Sequence, residues 1–265
     1  LLVLHDWSHY LSLTDEEINN ERGVLTEEWR TRRNASFRMR SQWFPVLFKG
    51  SKYAVRDIIG DTTVIRYQKP DTLRSFYHDW YRTDLQAIAI VGDVDVNAVE
   101  AKVREMFSPI PMVENPKPRT DFLIPSHEET NFVLATDKEA SQSQVAIYIL
   151  NKNEDGKPKD FNYLREGYIQ NLYNMMTGMR IQELLQKGVP PFVNGYSQKG
   201  GFVRGYDVYT IGAGANPNEE GKALEAILIE TEKVKRYGFL NSELDRAKAN
   251  LLTAIESQYK QKDKI

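Results

Sequence analysis

The chain has 265 residues, a formal net charge of −2, 41% hydrophobic and 27% charged residues, and no cysteine. That length can hold two domains with cores of their own, and the composition is that of a globular protein. Near-neutral charge gives no electrostatic basis for binding nucleic acid or an anionic membrane, and the longest nearly apolar run, Ala87 to Val91, is far too short to span a bilayer. Without cysteine there are no disulfides and no thiolate metal sites, which suits either cytosol or periplasm. Residues 1–13 read as the end of a helix. Thr14-Asp-Glu-Glu17 is a capping box opening the next one, a long helix over 15–44 with a break near Asn34 to Ser36 and a stop at Pro45.

Gly50 to Gly60 reads as a loop. Its Tyr53 and Arg56 are candidates to line a site, with a plain surface loop as the simpler account. Helices follow over 61–67 and 71–82, the second after Pro70. Residues 85–92 alternate as a buried strand with Gly92-Asp93 as the turn, and Asp95 caps a helix over 96–106. Pro109, Pro111, Pro116 and Pro118 then mark 109–120 as a linker. Beyond it come strands near 131–136 and 143–150, a long helix over 160–187, and strands over 192–198 and 203–214 joined through Gly200-Gly201. Two amphipathic helices, 217–237 and 241–262, complete the chain, the last capped by Asn241. This order predicts an α+β fold: tandem domains of mainly antiparallel sheet with helices packed on one face. Gly200, Gly201, Gly205, Gly212 and Gly214 do not have the spacing of a phosphate-binding loop, and nucleotide binding is rejected. Tyr206 and Tyr209 lie on opposite faces of one strand, and the charged run Lys260 to Lys264 reads as a solvated helix face.

The segment most suggestive of chemistry is Glu21-Arg-Gly-Val-Leu-Thr-Glu-Glu28. Glu21 and Glu28 are close to two helical turns apart and share a face. Ile18, Leu25 and Trp29 form an apolar stripe to one side and Val24 lies to the other. Carboxylates among apolar residues call for a cation or hydrogen bonds; the plain alternative is a solvated charged helix with Arg22, Arg30 and Arg32 nearby. The segment Glu21 to Arg30 resembles the downstream helix of the pitrilysin/insulysin (insulinase-like) family of inverted zinc metallopeptidases. Pro70-Asp-Thr-Leu-Arg-Ser-Phe-Tyr-His-Asp-Trp-Tyr81 and Leu85-Gln-Ala-Ile-Ala-Ile-Val-Gly-Asp-Val-Asp95 are similar to further segments of that family, in the same order. The resemblance is strongest over 14–108 and looser over 121–262.

The resemblance implies a metallopeptidase/processing-peptidase-like fold, with 1–108 as the C-terminal part of a zinc-bearing domain, 109–120 as linker, and 121–265 as a second, non-zinc homologous domain. It implies that Glu28 is a zinc ligand, that Glu21 is a supporting carboxylate behind the metal, and that the parent cleaves peptide bonds with a zinc-activated water. The family's H-x-x-E-H motif, which carries two histidine ligands and the general base, is absent here. His5-Asp-Trp-Ser-His9 has the histidine spacing but Ser8 in place of the base, and an ordinary helix end is the favoured account. His78 and His127 have no ligand-like neighbours. The chain begins inside a helical pattern at Leu1 without Met and stops at Lys264-Ile265 inside a charged helix, so it reads as part of a longer protein, expected to be inactive alone and not to retain zinc. Arg180 matches the arginine of the family's R-x6-Y pair, but Lys187 replaces the tyrosine; a plain structural arginine is the favoured account. The implied partners are a peptide substrate and the remaining domains of the polypeptide, without nucleic acid or membrane insertion. Family analogy favours a periplasmic or exported protein. The alternative is a non-catalytic scaffold or partner subunit of the same fold.

Overall fold

A computed structural model describes residues 1–153 and 158–262. It divides into two compact units, Leu1–Lys138 and Glu139–Ile265. The division falls later than the Pro-rich segment, and residues 121–138 run with the first unit. Within residues 109–120, Lys117 is held locally: buried Arg82 donates to its carbonyl at 2.8 Å, and its ammonium pairs with Asp79 at 2.5 Å.

The first unit is helical among the described residues: α1 (Leu2–His9), α2 (Asp15–Arg32), α3 (Ala35–Leu47), α4 (Thr62–Tyr67), α5 (Pro70–Trp80) and α6 (Val96–Phe107). Local side chains set most of the boundaries. Asn34 accepts from the Phe37 N–H, which ends α2 and starts α3, while Asp61 and Asp95 cap α4 and α6. Pro45 does not close a helix; it sits within the last turn of α3, where its fixed φ is helical and only one backbone bond is lost. The buried Tyr77 of α5 donates to the Trp7 carbonyl at 3.0 Å and so ties α5 to α1.

Two expected strands, 85–92 in the first domain and 131–136 at the start of the second, both fall in this unit and do not form. Residues 86–91 have no ladder partner among the described residues, and Ile88 and Ile90 stay 40% and 38% exposed. Alternation reports where side chains point, whereas a strand also needs a neighbour's main chain. In the 131–136 segment, the Gln42 side-chain amide of α3 takes both main-chain groups of Thr136, at 3.0 and 3.1 Å. Arg38 grips the adjacent Asp137 with two bonds of 2.6 and 2.7 Å.

The second unit has the expected architecture. Strands β1 (Ser143–Lys152), β2 (Phe192–Val203) and β3 (Tyr206–Ala215) form an antiparallel sheet in the order β1-β3-β2. Helices α7 (Phe161–Gln186) and α8 (Glu220–Tyr237) lie on one face, and α9 (Asn241–Gln261) packs against α7. The hairpin turn is not at Gly200-Gly201, which lie within β2, but at Arg204-Gly205, where Gly205 takes a φ of +79°. Asn241 does not cap α9; Glu243 reaches back to accept from the Leu240 N–H at 2.6 Å. Asp263, Lys264 and Ile265 lie outside the described residues, so the charged run is described only to Lys262.

The core forms where alternate β3 residues Ile211, Ala213 and Ala215 meet Ile181 of α7 and Ala223 and Ile227 of α8. Ile181 and Ile227 converge on Gly195 of β2, where a Cβ would stand 2.5 Å from Ile227 Cδ1. Glycine there lets two helices reach one strand. Ile227 is 0% exposed, so Ile227→Ala should destabilise the second unit by about 3 kcal/mol. Gly195→Ala should destabilise on its own by overpacking, and the double variant should lose less than the sum, because alanine at 227 vacates the space the new methyl needs. Denaturation followed by far-ultraviolet circular dichroism measures this; strict additivity would contradict the shared contact.

Candidate functional site

The candidate site is on α2, and the sequence dictates how the helix starts. The Thr14 hydroxyl accepts from the Glu17 N–H at 3.3 Å, and Glu17 accepts from the Thr14 N–H at 3.2 Å. The Thr14 hydroxyl, donating to the Glu17 carboxylate at 2.8 Å, is the largest cause holding that carboxyl below its ordinary pKa, followed by the Thr14 N–H and the Ser12 hydroxyl at 3.1 Å. Further along, Arg22 donates to the carbonyls of Ile65 and Gln68 and fastens α2 to α4. At its start, Arg74 of α5 holds the Leu13 carbonyl at 2.9 Å and the Asp15 carboxylate.

Glu21 and Glu28 project from this helix as their spacing predicts, but their setting differs from the expected one. Ile18 is buried and Leu25 and Trp29 are half-buried, so one flank is apolar. The other flank is open: Val24 is 60% exposed. Glu21 is exposed, and the Glu28 side chain, 39% exposed, pairs with Arg32 at 2.5 Å. Next to it Arg30 pairs with Glu27 at 2.8 Å, and Arg33 lies 4.5 Å from the Trp29 ring.

A zinc ion needs about four N, O or S donors converging on one point, of which a protein normally supplies three or four. Among the described residues no group of three or more His, Cys, Asp or Glu side chains converges in that way. His5 is used locally: its Nδ1 lies 3.1 Å from Asp6, and its ring stacks on Tyr10 at 4.7 Å and meets Phe107 edge-on at 5.5 Å. Ser8 donates to the His5 carbonyl at 2.7 Å, as a helix-interior hydroxyl does. His127 Nδ1 lies 2.6 Å from the Glu129 carbonyl. The described donors do not make a zinc site by themselves, and Glu28 is a single carboxylate with a guanidinium as its counter-charge. Tyr53 of the expected loop packs on Phe48, 5.4 Å between rings, and Arg56 is exposed.

In the second unit Arg180 is a structural residue. Its Nε and NH2 donate to Glu243 at 2.5 and 2.7 Å, NH2 also reaches the Gly238 carbonyl at 3.0 Å, and NH1 lies 3.5 Å from Glu230. The guanidinium also stands 5.0 Å from the Phe239 ring. With these donors committed and the side chain 16% exposed, little remains for a substrate. The sequence did carry a sign of this clamp: Glu230 lies on the same helical stripe as Ala223, Ile227 and Val234, all buried. Also unforeseen is a chain of hydroxyls joining α7, β3, β2 and α8. Tyr173 and Tyr209 lie 2.5 Å apart, Tyr209 and Ser197 2.7 Å, and Thr231 donates to Ser197 at 2.9 Å. Burial, first, and the Tyr209 hydroxyl push the Tyr173 phenol well above its ordinary range, so it stays protonated and acts as hydrogen-bonding structure.

The profile described as "Peptidase M16 inactive domain" matches residues 69–251. A zinc protease PQQL-like protein of Arabidopsis thaliana is 26% identical over 265 residues, covering 99% of this chain and 24% of the relative. The probable zinc protease PqqL of Escherichia coli K12 is 25% identical over 260 residues, covering 97% of this chain and 27% of the relative. The chain thus spans about a quarter of the length of these curated relatives. Among solved structures, the first half of the periplasmic protease PqqL from Escherichia coli superposes with a TM-score of 0.80 at 24% identity, covering 98% of this chain and 55% of that one; at that identity the likeness speaks for the fold.

Proposed function

The chain belongs to the peptidase M16 family, and from that premise we propose that it is a segment of a zinc metalloendopeptidase that does not cleave peptides by itself. The observation carrying this reading is the Glu21-to-Glu28 pair, two turns apart on one face of α2, in a chain that aligns almost end to end with proteins named zinc proteases. In this reading the first unit is the C-terminal part of the zinc-bearing domain and the second unit is the non-zinc homologous domain. Glu28 supplies one carboxylate to a zinc whose other donors lie outside this chain, and must leave Arg32 to do so. Glu21 stands behind it and accepts hydrogen bonds that orient the donors. Zinc, when bound in such a protein, supplies a water acidified enough to attack a peptide carbonyl.

The Arg180 clamp supports a structural rather than catalytic second unit, since its donors are already committed to Glu230 and Glu243. The partners in this reading are a peptide substrate and the remaining domains of the same polypeptide. No helix among the described residues is long and apolar enough to cross a membrane. By analogy with the periplasmic relative, the whole protein is placed in the periplasm or exported. A second reading, a non-catalytic partner subunit of the same fold, draws on the lack of a converging donor set among the described residues.

The test compares the 265-residue chain with the whole protein on an unfolded peptide. The chain should show no metal-dependent cleavage, and the whole protein should cleave until a chelator is added. Metal-dependent turnover by the chain alone would overturn the proposed division of labour, and an inactive, zinc-free whole protein would favour the partner-subunit reading.

A further inference from the structure

Among the described residues strand β2 is at one edge of the sheet, and an unprotected edge is a template for another strand. Proteins blunt such edges with prolines, bulges and outward-standing charges. Between Phe192 and Val203, β2 has no proline and one charged residue, Lys199. Its irregularities lie near its two ends, at Phe192/Asn194 and Gly201/Val203, leaving a regular run between them. The Lys199 ammonium leans toward Asp207 on β3, 3.8 Å away, and so toward the neighbouring strand inside the sheet.

What occupies the edge is a side-chain amide of α7. The Lys199 N–H donates to Asn174 Oδ1 at 3.0 Å, and the Lys199 carbonyl accepts from Asn174 Nδ2 at 2.8 Å and from Gln170 Nε2 at 3.1 Å. An amide that gives one donor and one acceptor to the same residue reproduces what a paired strand would offer. In an antiparallel ladder the two main-chain groups of a residue point the same way, so those of Lys199 face outward, away from β3. All three bonds are at the exposed surface. Water could satisfy these groups, so burial does not explain the arrangement.

We propose that Asn174, supported by Gln170, closes the outer edge of β2 against pairing with β2 of a second copy of this chain. A second copy fits because two identical strands related by a two-fold axis near Lys199 would pair antiparallel with matched residues. This role is independent of whether the whole protein is a peptidase.

The experiment measures self-association of the chain by sedimentation, with hydrogen exchange at the Lys199 amide. The double variant Asn174→Ala, Gln170→Ala should associate at least tenfold more strongly than the unsubstituted chain. Its Lys199 amide should exchange fast when dilute and slowly when concentrated. Adding Lys199→Pro removes the outward N–H at a position where an edge strand tolerates proline, and should return association to the starting level. The milder Asn174→Asp keeps an acceptor but loses the donor and should also raise association, which guards against misfolding of the double variant. Unchanged association in both the double variant and Asn174→Asp, or association that persists with Lys199→Pro, would overturn the proposal.

Discussion

Replacing Arg180 with leucine should destabilise the second unit by about 4 kcal/mol, because it leaves two mostly buried carboxylates without their cation. The Glu243 and Glu230 side chains are 9% and 12% exposed, and Arg180 ties them to α7. Lys233 still reaches Glu230 at 3.2 Å, whereas Glu243 keeps the Leu240 N–H and the more distant charge of Arg246. Glu243 should therefore carry most of the loss, and its cap on α9 should loosen with it.

The pH dependence separates this account from a simple packing defect. In the native chain the Arg180 hydrogen bonds hold the Glu243 pKa below its ordinary 4.5. A depressed carboxyl pKa contributes stability that is complete above the unfolded value and is lost as pH falls through the folded one. The native protein should therefore weaken below about pH 4.5 as Glu243 protonates. Without Arg180 the largest cause of that lowering is gone, so the variant should lose much of this acid sensitivity over the same pH range. All four tryptophans, Trp7, Trp29, Trp43 and Trp80, are in the first unit. Tryptophan fluorescence therefore reports the first unit alone, and a circular-dichroism transition that tryptophan fluorescence does not follow belongs to the second unit. A loss under about 1 kcal/mol, or an unchanged acid limb, would show that the clamp is not what holds α9.

The parts of the fold legible from sequence were those decided within a few residues. Thr14, Asn34, Asp61, Asp95 and Asp160 mark helix starts because each accepts from an N–H two or three positions on. Strands were legible only where a partner existed. Residues 143–150 and the hairpin pair with one another, whereas 85–92 carried the same alternation with no ladder among the described residues. The hairpin turn was misplaced because two glycines at 200–201 look like a turn, while Gly205 actually takes the positive φ.

The site was partly legible for the same reason. Seven-residue spacing fixes the common face of Glu21 and Glu28, but not that Val24 beside them is open to solvent or that Arg32 takes Glu28. The Arg180 clamp joins residues 50 and 63 positions apart, beyond any local pattern. Only the placement of Glu230 on the apolar stripe of α8 hinted at it.

The most direct test of the central proposal is zinc content in the whole protein, unsubstituted and with Glu28→Gln, each checked for native circular dichroism. The amide is nearly isosteric but loses the charge a metal needs. Stoichiometric zinc should fall sharply in Glu28→Gln, and Glu21→Gln should weaken affinity by roughly 10–100-fold, as expected for a residue that orients a ligand. Zinc retained in full by the Glu28→Gln protein would contradict the assignment of Glu28 and, with it, the account of α2 as part of a metal site.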